Sequence, residues 1–310
     1  MKQKVAVVIV TYGDRYRYVK QVVDRLVGMH NIESILIVNN GNKEKYITDS
    51  EKILNINLKE NTGSANGYYT GLKEIKTGNF DYVWMLDDDN LPAENSLEIL
   101  LKDYENAKDK DKVFSSFRED RRELKEKGFQ KYVKNSFFGF SLRSKIFKKK
   151  EMDYKRDDSL ISCETVPYGG LLLHTVDIES IGYPNRDFYL YNDDNDYTYR
   201  LTKSGKQIFC DTRSIIRDLE SSWYRREKVP MFKAFFHTGL ILNGKYTIRN
   251  RTCFELHNIV DNKLIYILNI GSYLAFVFIF YMPKNMSGLR KFNIILKMIF
   301  LGFVGKLGRL

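Results

Sequence analysis

Two acidic clusters are the parts of this sequence best suited to chemistry. In the first, Asp87, Asp88 and Asp89 follow residues 80–86, a mostly apolar run of strand length. Three adjacent carboxylates repel one another, so a cation that neutralises them would stabilise the cluster. Mg²⁺ and Mn²⁺ prefer carboxylate oxygens together with the phosphates of a substrate. The triplet therefore indicates either a divalent-metal site at a strand end or a solvated turn that caps the next helix.

The second cluster, residues 192–196, leads into a segment of helical pattern. One of its carboxylates could simply complement the N-terminus of that helix. Capping does not account for all three, because Asp193, Asp194 and Asp196 fall within four positions. An ionised aspartate in a cleft can accept a proton from an attacking hydroxyl. The cluster therefore contains a candidate general base.

Regular alternation of strand-like and helix-like segments surrounds these clusters. The apolar pattern predicts strands at residues 5–10, 34–38, 53–58 and 80–86, with helices at 16–29 and 64–76. This alternation is typical of a parallel sheet with right-handed crossovers, which binds ligands at the carboxyl ends of its strands. A dinucleotide-binding turn is not expected, because residues 11–16 contain a single glycine after the first strand.

The middle of the chain is harder to interpret. Residues 113–117 and 136–142 have strand-like patterns within a stretch rich in Lys, Glu and Asp. Gly169 and Gly170 form a pair at which backbone could approach a ligand closely, or an ordinary tight turn before a strand. Three widely spaced cysteines, at positions 163, 210 and 253, indicate a reducing compartment and no disulfide framework. The N-terminus lacks the longer apolar region of a signal peptide.

Basic and apolar residues are concentrated at the C-terminal end. The net charge is +11, and residues 226–310 contain 13 Lys and Arg against three acidic residues. Two apolar runs, 264–282 and 292–304, are separated by only nine residues. Positive charge flanks both runs, which favours an amphipathic helical pair in the cytoplasmic leaflet over a simple span. The alternative is a pair of helices packed on the protein, whereas the long apolar runs argue against a nucleic-acid surface.

Taken together, these motifs resemble those of the family 2 glycosyltransferases, which have a GT-A fold. The chain is most similar to bacterial rhamnosyltransferase-like and galactofuranosyltransferase-like enzymes, over about the first 225 residues. The matching segments are 8–12, 37–41, 60–67, 87–89, 169–170 and 188–200. The resemblance implies a mostly parallel α/β sheet flanked by helices, with a catalytic domain at 1–225 and a helical, membrane-associated segment at 226–310.

The resemblance also implies how a nucleoside-diphosphate sugar, UDP- or dTDP-linked, would be bound. Thr11, Tyr12 and Asn39 would line the nucleotide base and ribose, and Asn61 and Gly63 would lie near the donor. Relatives commonly have an aspartate where this chain has Asn39. An amide can still hydrogen-bond a base edge but offers no charge. The identity of the nucleotide is therefore left open.

For the metal and the base, the resemblance implies roles in both acidic clusters. Asp87 or Asp88 would face the ribose and diphosphate, and Asp89, with Asp87, would hold Mn²⁺ or Mg²⁺. Asp218 lies where many relatives have a histidine ligand, and an aspartate is also an acceptable oxygen ligand. Asp194, six residues before an arginine, falls where inverting members have their general base.

The resulting hypothesis is an inverting, metal-dependent glycosyltransferase at the cytoplasmic face of a bacterial membrane. It would extend a lipid-linked saccharide for a surface polysaccharide such as capsule or O-antigen. One rival is a nucleotidyltransferase of related architecture, which predicts a glycine- and lysine-rich loop after the first strand. Another is a non-catalytic, membrane-bound saccharide-binding protein, which predicts no donor hydrolysis. The sugar, the acceptor and the oligomeric state are left open.

Overall fold

The chain forms two compact units, described here from a computed structural model. The described residues are 3–42, 50–76, 78–107, 111–119, 131–143, 159–220, 230–237 and 241–310. The sheet unit comprises the described residues within Met1–Gln130, Tyr154–Tyr189 and Asp193–Glu220. The helical unit comprises those within Lys131–Asp153, Leu190–Asn192 and Ser221–Leu310. The domain boundary predicted after residue 225 lies outside the described residues.

Four strands form the parallel half of the sheet, in the order β3-β2-β1-β4. They are β1 (Val5–Thr11), β2 (Ile32–Asn40), β3 (Ile53–Leu58) and β4 (Tyr82–Asp87). Helix α1 (Tyr16–Val27) connects β1 to β2, and α2 (Gly63–Ile75) connects β3 to β4. All six elements lie where the apolar pattern predicts them, with bounds shifted by at most two residues.

The second half of the sheet is mixed. Its strands are β5 (Asn90–Pro92), β6 (Lys112–Arg118), β7 (Leu160–Cys163), β8 (Leu171–His174) and β9 (Gln207–Asp218). β6 and β9 are parallel, whereas β8 is antiparallel to both β4 and β6. β5 and β7 pair antiparallel with β9. Helices α3 (Ser96–Asn106), α4 (Thr175–Ile181) and α5 (Asp193–Lys203) complete the sheet unit.

The sheet buries apolar side chains on both faces. Alternate residues of β1 belong to different clusters, with Val7 and Ile9 on one face and Ala6 and Val8 on the other. Helices α1 and α3 pack on the first face, and α2 and α5 on the second. Two-sided burial explains why β1 reads as a continuous apolar run rather than an alternating one. The same burial fixes the strand ends, where the polar residues emerge.

The helical unit contains α6 (Met231–His237), α7 (Ile241–Asn258), α8 (Lys263–Phe280) and α9 (Met286–Phe303). Asn262 and Asn285 cap α8 and α9, since their side chains accept hydrogen bonds from Ile265 N and Gly288 N. A separate aromatic and aliphatic cluster forms its core, including Phe137, Phe232, Tyr266 and Ile295.

The prediction of a strand at residues 136–142 is wrong. The segment makes a tight turn with one isolated bridge, between Phe137 and Phe140. Phe138 and Gly139 have φ angles of 50° and 75°, which no strand allows. The Phe138 N–H donates to the Glu255 carboxylate on α7, at 3.0 Å. The apolar pattern reflects packing of Phe137 among the helices, not a second sheet face.

Helix α8 is long and apolar enough to cross a membrane by length and composition, and only 22% of it is buried. It is the single such helix in the described part of the chain. Both α8 and α9 expose large apolar side chains on their outer surfaces, including Leu268, Ile279 and Phe300. Exposed apolar surface of this extent marks an interaction site in most soluble proteins.

Candidate active site

Thr11, Asn39 and Asp87 meet at the carboxyl edge of the parallel strands. Thr11 is the register partner of Asn39, and Val10 is the partner of Asp87. Thr11 and Asn39 are buried, whereas the next residue, Tyr12, is 51% exposed. The Asn39 amide donates to Asn57 Oδ1 at 3.0 Å, so strand β3 fixes its orientation. Thr11 and Asn39, which the resemblance assigns to the nucleotide, therefore lie side by side at the strand ends.

The loop with Asn61 and Gly63 is held against this edge by Asn40. The Asn40 amide nitrogen donates to Gly63 O at 2.9 Å, and its oxygen accepts from Thr62 N at 2.9 Å. Asn61 Oδ1 accepts from Gly63 N, which forms a turn into α2. Gly63 has φ +82°, and a Cβ atom there would lie 2.0 Å from Tyr189 O. Only glycine therefore fits at this position.

Arg15 binds two members of the acidic triplet. Its Nε donates to both Asp88 oxygens, at 2.9 and 2.8 Å, and its Nη2 lies 2.9 Å from Asp89 Oδ2. Its Nη1 donates to Glu220. The guanidinium carbon also lies 5.6 Å from the centre of the Tyr12 ring. Arg15 thus contacts both the acidic triplet and Tyr12, which is predicted to bind the nucleotide.

A second arginine, Arg118 on β6, binds Asp218 and Asp87. It makes a two-pronged contact with Asp218, from Nε at 2.9 Å and from Nη2 at 2.6 Å, and Nη1 lies 3.3 Å from Asp87 Oδ2. Asn90 Nδ2 donates to Asp218 Oδ1 at 2.8 Å. Burial alone would lower the pKa of Arg118, but the neighbouring Asp87 and Asp218 raise it. Both oxygens of Asp218 are therefore engaged by a fixed cation.

Burial makes Asp88 and Asp89, two members of the triplet, difficult to ionise. It raises the pKa of Asp88 to about 6, against the opposing effect of Arg15. It raises the pKa of Asp89 to about 7, and the neighbouring Asp87 and Asp88 carboxylates add to this shift. Five carboxylates face two guanidinium groups here, counting Asp218 and Glu220 with the triplet. The remaining negative charge suits a cationic ligand.

Oxygen ligands of this kind suit a hard divalent cation. Among the described residues, however, no three Asp, Glu, His or Cys side chains already form a metal-coordinating group. Asp87 is the most accessible candidate, with its side chain 37% exposed, and Asp89 Oδ1 has only a long 3.5 Å contact with Asn90. The donor set thus fits Mg²⁺ or Mn²⁺ chemically, with Asp87 and Asp89 better placed than Asp218.

Tyr68 and Gly169 pack directly against Asp87. The Tyr68 hydroxyl lies 2.9 Å from Asp87 Oδ1 and donates to Leu86 O at 2.8 Å. A Cβ atom at Gly169 would lie 2.0 Å from Asn90 Oδ1 and 2.9 Å from Asp87 Oδ2. The glycine pair noticed in the sequence therefore brings backbone close to the acidic triplet. Burial, followed by Asp87, raises the pKa of Tyr68, which stays a neutral donor.

The second acidic cluster begins helix α5. Asp193 is buried and accepts from Ser64 Oγ of α2 at 2.8 Å. Asp194 is half-buried, and its Oδ1 accepts from the Asn195 backbone and side chain at 2.7 and 2.9 Å. Burial, then Asp194, raises the pKa of Asp193, and Asp87 contributes in the same direction. The two acidic clusters are therefore close enough to interact.

The sequence interpretation missed Arg15, Asn40, Tyr68 and Arg118. Only the excess of acidic residues in the triplet could have indicated that cations must lie nearby. The arginines themselves are 73 and 100 positions from their partners, so no local pattern identifies them. Asn40 is the second residue of an asparagine pair of which only the first, Asn39, was assigned a role.

The comparisons with known proteins identify the family of the chain. Residues 6–166 match the family described as glycosyl transferase family 2, and the chain therefore belongs to this family. It is a glycosyltransferase, as the motifs predicted. No curated protein matches the chain.

Solved structures show the same fold. Residues 1–349 of S. aureus TarS in complex with UDP-GlcNAc align with a TM-score of 0.56 at 11% identity, over 97% of this chain and 81% of that one. GalNAc-T7 with UDP, GalNAc and Mn²⁺ aligns with a TM-score of 0.55 at 11% identity, over 92% of this chain and 59% of that one. At this identity the likeness establishes the architecture, and the predicted GT-A fold is confirmed.

Proposed function

We propose that this glycosyltransferase transfers a sugar, with inversion, from a UDP- or dTDP-linked donor to a lipid-linked saccharide of a bacterial surface polysaccharide. One observation carries the proposal. The carboxyl edge of the parallel strands, called the donor edge from here on, belongs to the same unit as the α5 aspartates. Ser64, at the start of α2, donates a hydrogen bond directly to Asp193. A donor seated at the strand ends would therefore lie near a candidate base. The TarS complex, which contains UDP-GlcNAc, supports a nucleotide-sugar donor.

The residues proposed to bind the nucleotide-sugar donor fall into two groups: those that would contact the donor and those that support the contacting residues. Tyr12, which is exposed and lies beside Arg15, is suited to contact the nucleotide base. Thr11 and Asn39 are buried and shape the floor of the edge. Asn61 and Gly63 form the adjoining loop. Asp88 accepts two hydrogen bonds from Arg15 and thereby fixes a cation where the diphosphate would lie.

A divalent cation would be held by Asp87 and Asp89, whereas Asp218 is bound by Arg118. When bound, Mn²⁺ or Mg²⁺ offsets the charge that develops on the departing nucleoside diphosphate. The Mn²⁺ in the GalNAc-T7 structure supports this choice of ion. Tyr68 and Gly169 restrict the position of Asp87.

Asp194 is the proposed general base. It is half-buried, whereas Asp193 is buried, accepts a hydrogen bond from Ser64 and has a pKa that burial and Asp194 raise. Asp194 would take the proton of the acceptor hydroxyl as that oxygen attacks the anomeric carbon. The single displacement inverts the configuration and forms no covalent sugar–enzyme intermediate.

The exposed apolar surfaces of α8 and α9 would seat the enzyme on the cytoplasmic face of the cell membrane. Lys284 and Arg290, between and within these helices, are exposed and suited to anionic headgroups. A lipid-linked acceptor is confined to that surface, so a membrane-bound enzyme meets it at high local concentration.

A screen of nucleotide sugars tests the proposal. The full-length protein, in detergent micelles with Mn²⁺, is supplied with UDP- and dTDP-sugars and with lipid-linked saccharide, and released nucleoside diphosphate is measured. We expect one donor to give release that depends on the acceptor. Failure of every donor, with the protein folded, would favour a saccharide-binding role. A product that retains the anomeric configuration would contradict the inverting mechanism.

A further inference from the structure

The turn immediately before helix α5 has an unfavourable backbone conformation. Tyr191 and Asn192 have φ angles of 65° and 59°, a region that residues other than glycine seldom adopt. Asp193 and Asp194 are the next two residues of the chain. Such conformations persist only where surrounding contacts hold them, and they are concentrated at functional sites. The contacts that hold this turn therefore bear on the placement of Asp194.

The side chain of Asn250, on helix α7, supplies those contacts. Asn250 is fully buried, and its Nδ2 donates to Leu190 O at 2.7 Å and to Tyr191 O at 2.9 Å. Its Oδ1 accepts from Arg249 Nε at 2.9 Å. Two hydrogens on one nitrogen thus bind two consecutive carbonyls. Only an amide side chain provides this pair of donors together with an acceptor.

Asn243 lies two helical turns earlier on the same face of α7 and binds the same turn. Its Nδ2 lies 2.9 Å from the Tyr191 hydroxyl. By contrast, Asn258, near the end of α7, donates to Phe254 O of its own helix. Two asparagines of α7 are therefore directed at residues 190–192, while a third satisfies the helix itself.

We propose that Asn250 is a positioning residue that orients the general base by holding the turn at residues 190–192. The inference rests on the proposed role of Asp194 as that base. Asn250 touches neither donor nor acceptor in this scheme. Its effect is transmitted through the backbone, because α5 begins directly after the turn it binds. Asn243 contributes in the same way, through one hydrogen bond.

The expected signature is a loss of turnover without a loss of donor binding. In Asn250→Ala, the two carbonyls lose their donors and Asp194 shifts from the acceptor hydroxyl. Misplacement of a catalytic group by about 1 Å can cost roughly 10²-fold in rate, so kcat should fall by that order. Binding of UDP or dTDP with Mn²⁺, measured by calorimetry, should match wild type. Tyr191→Phe and Asn243→Ala each remove the same hydrogen bond, between the Asn243 amide and the Tyr191 hydroxyl. Each variant should therefore lower kcat slightly, and the double variant should lower it no further.

The matched control is Asn258→Ala, which removes an asparagine of α7 without touching the turn and should keep kcat. All variants are assayed below their unfolding midpoints with the donor that the screen selects. Full transfer by Asn250→Ala together with loss in Asp194→Asn would overturn the positioning role and leave the proposed function standing. A parallel fall in nucleotide affinity and kcat would also overturn it, since that result indicates general damage. Full transfer by Asp194→Asn would overturn both assignments.

Discussion

The sheet unit and the helical unit place their apolar runs in opposite environments. In the sheet unit, the apolar runs of β1 and β4 are buried on both faces, and arginines bind buried carboxylates at the strand ends. In the helical unit, the strongly apolar helix α8 is mostly exposed. Basic side chains such as Lys284 are solvated there, although Arg251 pairs with the buried Glu255. An apolar run therefore indicates a core in one unit and an interaction surface in the other.

The contrast also shows that α8 is not a detachable anchor. Tyr266 on α8 donates to the buried Glu255 carboxylate of α7 at 3.1 Å, and Asn269 donates to Asn135 O at 2.7 Å. Burial raises the pKa of Glu255, against the opposing effect of Arg251. Truncation before α8 would leave these polar groups without their partners. Point substitutions on the exposed surface are therefore the better test of membrane binding.

The largest expected effect concerns the charge pairing of the sheet unit. Replacement Arg118→Met leaves Asp218 and Asp87 without their cation, and Asp218 is buried. Breaking a buried pair by removing one partner typically costs about 3–5 kcal/mol in free energy of unfolding. Urea denaturation followed by tryptophan fluorescence measures this, because Trp84 is fully buried in the same sheet.

Lys102→Met is the matched control, since Lys102 pairs with Glu98 on the solvated surface of α3. It should change stability little. Equal losses in the two variants would mean that burial of the arginine pair does not distinguish the strand-end site from ordinary surface.

The next effect separates catalysis from membrane binding. Asp194→Asn should lower the rate of transfer by roughly 10²-fold or more, because the amide cannot accept the proton. Binding of donor and of vesicles should be unchanged. Asp196→Asn is the control, as Asp196 faces Arg200 at 3.7 Å on the same helix. If Asp196→Asn is inactive and Asp194→Asn active, the base has been assigned to the wrong aspartate.

Removal of positive charge from the helical unit should weaken membrane binding and leave catalysis unchanged. Lys284→Gln with Arg290→Gln removes two exposed cations, each worth about 1 kcal/mol of attraction to anionic lipid. Sedimentation with phosphatidylglycerol vesicles should show weaker binding, with transfer to a soluble acceptor unchanged. Lys73→Gln with Lys203→Gln, in the sheet unit, is matched in charge and should bind vesicles like wild type. The same loss in both pairs would indicate attraction by net charge alone.

Metal binding should depend on the triplet and not on the helices. Asp89→Ala removes a proposed ligand, and we expect at least about a tenfold loss of Mn²⁺ affinity, comparable to changes around known metal ligands. Titration of Mn²⁺ with UDP present measures it. Glu220→Ala, which removes an Arg15 partner outside the proposed metal ligands, should have a smaller effect. Unchanged affinity in Asp89→Ala would remove Asp89 from the metal site.

The elements of the donor edge could be predicted because their signals are local. The apolar runs of β1, β2 and β4 determine where each strand ends, and the polar residues follow directly. The register then brings Thr11 beside Asn39. Two-sided burial produces the same run wherever it occurs, so this half of the fold required no long-range information.

The remaining parts depend on contacts between distant residues. Arg118 binds Asp218 across 100 positions, and Asn250 binds Tyr191 across 59. Residues 136–142 read as a strand because apolar side chains alternate there, yet the helical unit uses them in a turn against α7. A residue pattern indicates that a side chain is buried, but it does not identify the element that covers it.

The smallest expected effect concerns the contribution of Asp193 to the pH dependence of stability. Burial raises its pKa from the ordinary carboxyl value of about 4 to about 8. Between these values the folded state holds a proton that the unfolded state has released, so stability falls as pH rises through this window. One such group contributes at most about 1.4 kcal/mol per pH unit.

Asp193→Asn keeps the acceptor for Ser64 and removes the titration, so its unfolding free energy should decline less between pH 6 and pH 7 than that of wild type. Denaturant midpoints at the two pH values measure the difference, and Asp196→Asn serves as the control. Equal slopes for wild type and Asp193→Asn would mean that Asp193 is ionised at neutral pH, in which case it, and not only Asp194, could act as the base.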